Sequence, residues 1–166
     1  MKVFIACLGK EGKERGKWFE YPFDNVWEDM EQDFMEEFGV DDPNKIYIGK
    51  TEGIPFEVKK DDDIERLFEV LEYIDGLVEN EALALIEALG DYKEIPNYFN
   101  YNYYPDQTLE DLAREYAEEQ IEDLIMAAAE NQAKNIDIQF NIEQIVKDYK
   151  ASGEYTETKY GVIQWT

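Results

Sequence analysis

The chain has 166 residues and a formal net charge of −24, from 40 Asp and Glu against 16 Lys and Arg. That balance excludes nucleic-acid binding through a basic patch and docking on an anionic membrane surface; its natural partner is basic. Hydrophobic residues at 44% and aromatics at 14% exclude a disordered acidic tail, so core material and extreme charge occur together, in one ordinary domain or two to three small ones.

In chain order, Lys2 to Leu8 reads as a strand, because Val3, Phe4 and Ile5 are β-formers. A basic, turn-rich loop follows, then a second strand from Lys17 to Tyr21 ended by Pro22, which makes a hairpin-like pair. Asp24 or Asn25 is expected to cap a helix running to about Phe38, with Gly39 as its stop. Phe23, Val26, Trp27, Met30, Phe34 and Phe38 form its apolar stripe. Short strands are expected around Ile46–Ile48 and Phe56–Val58. Asp61, Asp62 and Asp63 start the next helix, where negative charge complements the helix dipole by about 0.3–1 kcal/mol each. Its core side is Ile64, Leu67, Phe68, Leu71 and Ile74, and Gly76 ends it. Asn80 to Leu89 reads as another short helix, stopped by Gly90.

Asp91 to Pro105 is rich in Tyr and Asn and reads either as a packed connection or as an interface. Thr108 and Asp111 match a capping box that opens a long helix reaching past Ala129. Its buried stripe is expected at Leu109, Leu112, Tyr116, Ile121, Leu124 and Ala128. Phe140 to Lys150 reads as helical, and Tyr155–Thr158 with Tyr160–Trp165 as a closing hairpin. The fold class is α+β, with three small domains at 1–60 (α/β), 61–104 (helical) and 105–166 (α/β) and carboxylate-covered helices.

The charge lies in tracts. Residues 61–130 hold 21 acids against Arg66, Lys93 and Arg114. Between Lys17 and Lys45 there are ten acids and no base. Three carboxylate rows follow from the helical spacing: Glu28, Asp29, Glu31, Asp33, Glu36 and Glu37; Asp61, Asp62, Asp63, Glu65, Glu69 and Glu72; and Asp111, Glu115, Glu118, Glu119 and Glu122. Like charges at i,i+4 cost roughly 0.2–0.5 kcal/mol per pair, and an ordinary surface helix would alternate them with Lys.

Much chemistry is excluded. The chain has no His, one Cys (Cys7) and one Ser (Ser152), so no Ser–His or Cys–His nucleophile pair can form. Cys7 lies in an apolar run and reads as a buried thiol in a reducing cytoplasm. No phosphate-binding glycine loop, EF-hand or Glu-x-x-His bundle motif is present, so neither cofactor nor metal is expected, and no enzyme. The first apolar run is too short for a signal peptide, and no stretch approaches the ~18 apolar residues of a membrane span.

Four readings of the acidic rows compete. A solvated surface would spread acids evenly, but here they are zoned. A weak calcium or magnesium buffer would hold them in loops, but here they fall largely on helices. An acidic adaptor would present its Tyr-rich segment, or its charge, to some other basic protein. A DNA mimic would use acids four apart on a helix, about 6 Å along the axis, to approximate a phosphate track with one charge per ~1.7 Å. At one charge per phosphate, −24 matches roughly 12 base pairs, and a dimer about twice that.

Several stretches also resemble the ArdA antirestriction proteins of mobile elements and phages. They are Val3-Phe-Ile-Ala-Cys-Leu-Gly-Lys10 with Gly16-Lys-Trp18-Phe and Pro22, Ile54-Pro-Phe-Glu-Val58, and Ile64-Glu-Arg-Leu-Phe-Glu-Val-Leu71. Leu109-Glu-Asp-Leu-Ala-Arg-Glu-Tyr-Ala-Glu-Glu119 and Gly153-Glu-Tyr-Thr-Glu-Thr-Lys-Tyr-Gly-Val-Ile163 complete the set, in order along nearly the whole chain. The chain departs from the family pattern at Phe140–Tyr149, where Lys147 stands in place of an expected Arg, and in the Tyr–Asn run at 97–105. The resemblance implies an elongated three-domain chain in the cytoplasm of a bacterial host, dimerising through its C-terminal domain. It further implies a mimic of bent DNA that fills the DNA-binding cleft of type I restriction–modification enzymes, on their methyltransferase core.

Overall fold

The computed structural model describes residues 1–9, 11–98, 100–130 and 138–166. It is mixed α+β with two small antiparallel sheets, and it divides into two compact units, Met1–Tyr98 and Phe99–Thr166.

The first unit is built on strands β1 (Lys2–Leu8), β2 (Glu14–Glu20) and β3 (Ile46–Glu52), in the order β2-β1-β3. Val3, Ile5 and Cys7 alternate along β1 and are all buried, as period-two packing on one face requires. Helix α1 (Trp27–Phe38) contributes Trp27, Met30 and Phe34 to the core, spaced at three and four residues. No side chain caps α1. Neither Asp24 nor Asn25 starts it; extended Val26 precedes the first turn, and Phe23 and Trp27 anchor that turn by packing. Gly39 ends α1 at φ 65°, the left-handed conformation that a Cβ disfavours.

Helices α2 (Ile64–Asp75) and α3 (Glu79–Leu89) and a short 3-10 turn at Tyr92–Asn97 complete this unit. Phe68 of α2 stacks on Phe23 at 3.8 Å and meets Trp27 and Phe19 edge-on at 5.5 and 6.1 Å. Such contacts add about 0.5–1.5 kcal/mol each beyond area burial. This aromatic knot, shared by β2, α1 and α2, joins residues on both sides of the expected boundary at 60. Phe56–Val58 is not a strand; Phe56 instead stacks on Tyr92 at 4.5 Å, and that side-chain contact takes the place of ladder pairing.

The second unit holds a sheet of β4 (Tyr101–Pro105), β5 (Tyr155–Thr158) and β6 (Gly161–Trp165) in the order β4-β6-β5, with helices α4 (Leu109–Glu130) and α5 (Ile142–Ser152). The Tyr–Asn run is therefore partly a strand. Tyr103 donates to the Tyr160 carbonyl at 2.7 Å and Tyr104 to Gln164 Oε1 at 2.9 Å. Since β4 pairs along its length with β6, the expected boundary at 104 falls inside a strand of this unit.

Leu109, Leu112 and Val162 form the centre of the second core, with Tyr104, Val146, Tyr149 and Tyr155 against it. The buried stripe of α4 differs from expectation. Leu109, Leu112, Ala113 and Ala117 are buried, whereas Tyr116 is 44% exposed and Leu124 46%. A 22-residue helix spans about 33 Å, and this core covers only its first half.

The candidate acidic interface

The aromatic knot decides which way the carboxylates point. Because one side of α1 and one side of α2 are spent on aromatic packing, the polar residues between those contacts are left in water. Glu28, Asp29, Asp33, Glu36 and Glu37 are exposed on α1, and Glu31 is half-buried. Asp61, Asp63, Glu65, Glu69 and Glu72 are exposed at and along α2. Asp111, Glu115, Glu118, Glu119 and Glu122 are exposed along α4 in the second unit.

The structure divides the α1 row in two. Glu28 and Glu31 line one groove of about 770 Å³ with Asp61, Asp63 and Glu65. Partial burial, then the charges of Glu28, Asp63, Glu69 and Glu31, push the Glu65 carboxyl above its usual value. The first two expected rows thus meet here. Asp29, Asp33 and Glu36 repeat at three and four residues on another side of the helix. Glu37 is held by Lys17 Nζ at 2.7 Å. On the same groove, Lys60 Nζ lies 3.8 Å from the Tyr47 ring centroid. Burial, and the Glu14 carboxylate to which it donates at 2.9 Å, push the Tyr47 phenol up to about 12.

One expected member does not belong to the surface. Asp62 is buried, and its carboxylate receives the Lys59 N–H at 2.8 Å, the Tyr92 hydroxyl at 2.7 Å and Lys93 Nζ at 2.5 Å. Burial alone would raise this carboxyl; Lys93, the Lys59 N–H and Tyr92 outweigh it and hold the group below its usual value. Sequence spacing could not separate Asp62 from its two neighbours, because its side-chain partners Tyr92 and Lys93 lie about 30 residues away.

Two further carboxylates serve local structure while remaining exposed. Asp63 accepts the Arg66 N–H at 2.9 Å and caps α2. Asp111 accepts the Thr108 N–H at 2.8 Å while Thr108 Oγ1 accepts the Asp111 N–H at 3.2 Å, the reciprocal pair of a capping box.

The few bases of the acidic tract are turned inward or sideways. Arg66 donates to the Lys93 carbonyl at 2.7 Å, to Asn97 at 2.9 Å and to Glu69 at 2.7 Å. Lys93 is held by Asp62, and Arg114 by Glu110. Among the described residues, Glu28, Asp29, Glu31, Asp33, Asp61, Glu65, Glu72, Glu118, Glu119 and Glu122 form no ion pair. Among the described residues, too, no three Asp, Glu or Cys side chains are placed to share a metal ion, and no helix is long and apolar enough to cross a membrane. Cys7 is a buried free thiol, raised by its burial.

A family model described as antirestriction protein (ArdA) matches residues 3–164. The chain belongs to the ArdA antirestriction family. No curated protein and no solved structure matches it. The acidic helices therefore belong to a chain of an antirestriction family, whose members act against restriction–modification systems.

Proposed function

We propose that the chain is a DNA mimic that occupies the DNA-binding cleft of type I restriction–modification enzymes, on their methyltransferase core, and so blocks restriction and modification together. The observation that carries this reading is the set of exposed carboxylates on α1, α2 and α4 with which no base among the described residues forms an ion pair, in a member of an antirestriction family. Folded helices hold their charges at fixed spacings, and a basic groove shaped for phosphates meets them without ordering the chain first. Sparing Lys on these faces costs repulsion, and that cost has a purpose if lysines would spoil the copy.

The reading extends to a homodimer formed through the C-terminal unit. Leu124, Ile125 and Met126 support it, as consecutive large apolar side chains between 46% and 60% exposed on the second half of α4.

The test is a competition titration. A type I methyltransferase core is bound to a labelled duplex carrying its target site, and the protein is added at two salt concentrations. Stoichiometric displacement that weakens as salt rises is the expected result. A folded protein that displaces no duplex overturns the reading.

A further inference from the structure

We propose that Asp62 is a positioning residue for partner binding, and not one of the charges that the partner reads. The inference rests on the functional reading above, and it separates three consecutive aspartates into two roles. Asp61 and Asp63 are exposed at the groove that Glu28, Glu31 and Glu65 also line. Asp62 borders the same groove, but its side chain is only 5% exposed and its carboxylate is occupied by the Lys59 N–H, the Tyr92 hydroxyl and Lys93 Nζ.

What Asp62 holds is the backbone between its neighbours. Its carboxylate accepts the Lys59 N–H at 2.8 Å, while its own N–H donates to the Lys59 carbonyl at 3.2 Å, so the turn from 59 to 62 is closed from both ends. The Lys60 carbonyl accepts the Ile48 N–H at 3.2 Å, which ties that turn to β3. The same carboxylate reaches across to Tyr92 and Lys93, and the Lys93 carbonyl takes the Arg66 guanidinium from the first turns of α2. Tyr92 is itself fixed, 6% exposed and stacked on Phe56. Asp61 and the α2 cap Asp63 are therefore mounted on a segment anchored on both sides of Asp62. The anchor uses two of the three bases in the acidic tract, Arg66 and Lys93. Without it the groove keeps its charges but loses their fixed placement, and fixed placement is what a preorganised surface contributes to affinity.

The test compares Asp61→Asn, Asp62→Asn and Tyr92→Phe with the parent chain. Each is titrated against a type I methyltransferase core over a series of salt concentrations, well below its melting temperature. Asp61→Asn removes a read charge, so the dependence of affinity on salt becomes shallower and affinity falls by about two- to threefold. Asp62→Asn should lower affinity by about tenfold with the parent's salt dependence, and amide exchange at Lys59 and Asp62 should quicken. Tyr92→Phe keeps the stacked ring, removes only the phenol, and should show the same pattern more weakly; it decides the matter if Asp62→Asn does not fold. Parental affinity in a folded Asp62→Asn chain, or unchanged amide exchange, would leave Asp62 a purely stabilising residue and overturn the proposal. A shallower salt dependence, as for Asp61→Asn, would make it a read charge and overturn it equally. A parent chain that does not bind the core overturns the functional reading itself, and this inference with it.

Discussion

Asp62 and Glu65 lie three residues apart and respond to pH in opposite senses. Asp62 has a lowered native carboxyl, so its contribution to stability is present above the ordinary carboxylate range and is lost as pH falls through its native value. Glu65 has a raised one, so ionisation of the unfolded chain comes first and the native state loses stability as pH rises through that range. Glu65→Gln should therefore raise the melting temperature at neutral pH, and the gain should vanish below pH ~4, where both states are protonated. Its size follows from relief of partial desolvation and of repulsion from Glu28 and Asp63, about 0.5 kcal/mol for an exposed group, or on the order of 1 °C. An unchanged melting temperature at neutral pH counts against uncompensated repulsion on this face. Glu69 is a different case, since Arg66 already holds it at 2.7 Å, and Glu69→Gln should yield no gain. Lys93→Met leaves a buried charge without its cation. Breaking a fully buried pair costs about 3–5 kcal/mol, and with Lys93 about one-third exposed a loss of about 2 kcal/mol is expected in chemical denaturation.

At the scale of elements, α4 has two halves with different duties. Its first turns are closed by the Thr108–Asp111 capping box and buried on Val162 through Leu109 and Leu112. Thr108→Ala should cost about 1 kcal/mol, read by thermal or denaturant unfolding. The second half carries Leu124, Ile125 and Met126 into water. If this is where two copies meet, Ile125→Asp should shift the protein to a monomer in sedimentation at micromolar concentration while leaving far-ultraviolet circular dichroism unchanged. A dimer that persists in this variant would place the contact elsewhere. On α1 the division runs across the helix rather than along it, with Glu28 and Glu31 toward the groove and Asp29, Asp33 and Glu36 on another side.

Over the whole molecule the charge acts as a field. A groove that binds DNA phosphates responds to the summed potential of many carboxylates, so single replacements of Glu28, Asp29 or Asp33 should each weaken binding by no more than about threefold. Replacing all three with their amides should cost more than tenfold at low salt, and the loss should shrink as salt rises. Abolition of binding by one such replacement in a folded chain would replace the field with a single hot spot.

The sequence by itself determined what depends on local chemistry and on amino-acid totals. The terminal strands, α1, α2, α5 and the closing hairpin follow from residue spacing, the capping box at Thr108 from its own four residues, and the exclusion of nucleophile pairs from the absence of His. The ordered stretches from Val3 to Ile163 are spread widely enough that the family was legible too. The tertiary structure decided what depends on distant partners. Phe56 stacks on Tyr92 instead of entering a ladder, α1 starts on packed aromatics instead of a polar cap, and the α4 stripe fails where the core ends. Asp61, Asp62 and Asp63 are the same residue in the same run. Tyr92, Lys93 and the Lys59 N–H together make the middle one an anchor, because a carboxylate's role is set by what surrounds it and not by where it stands in the chain.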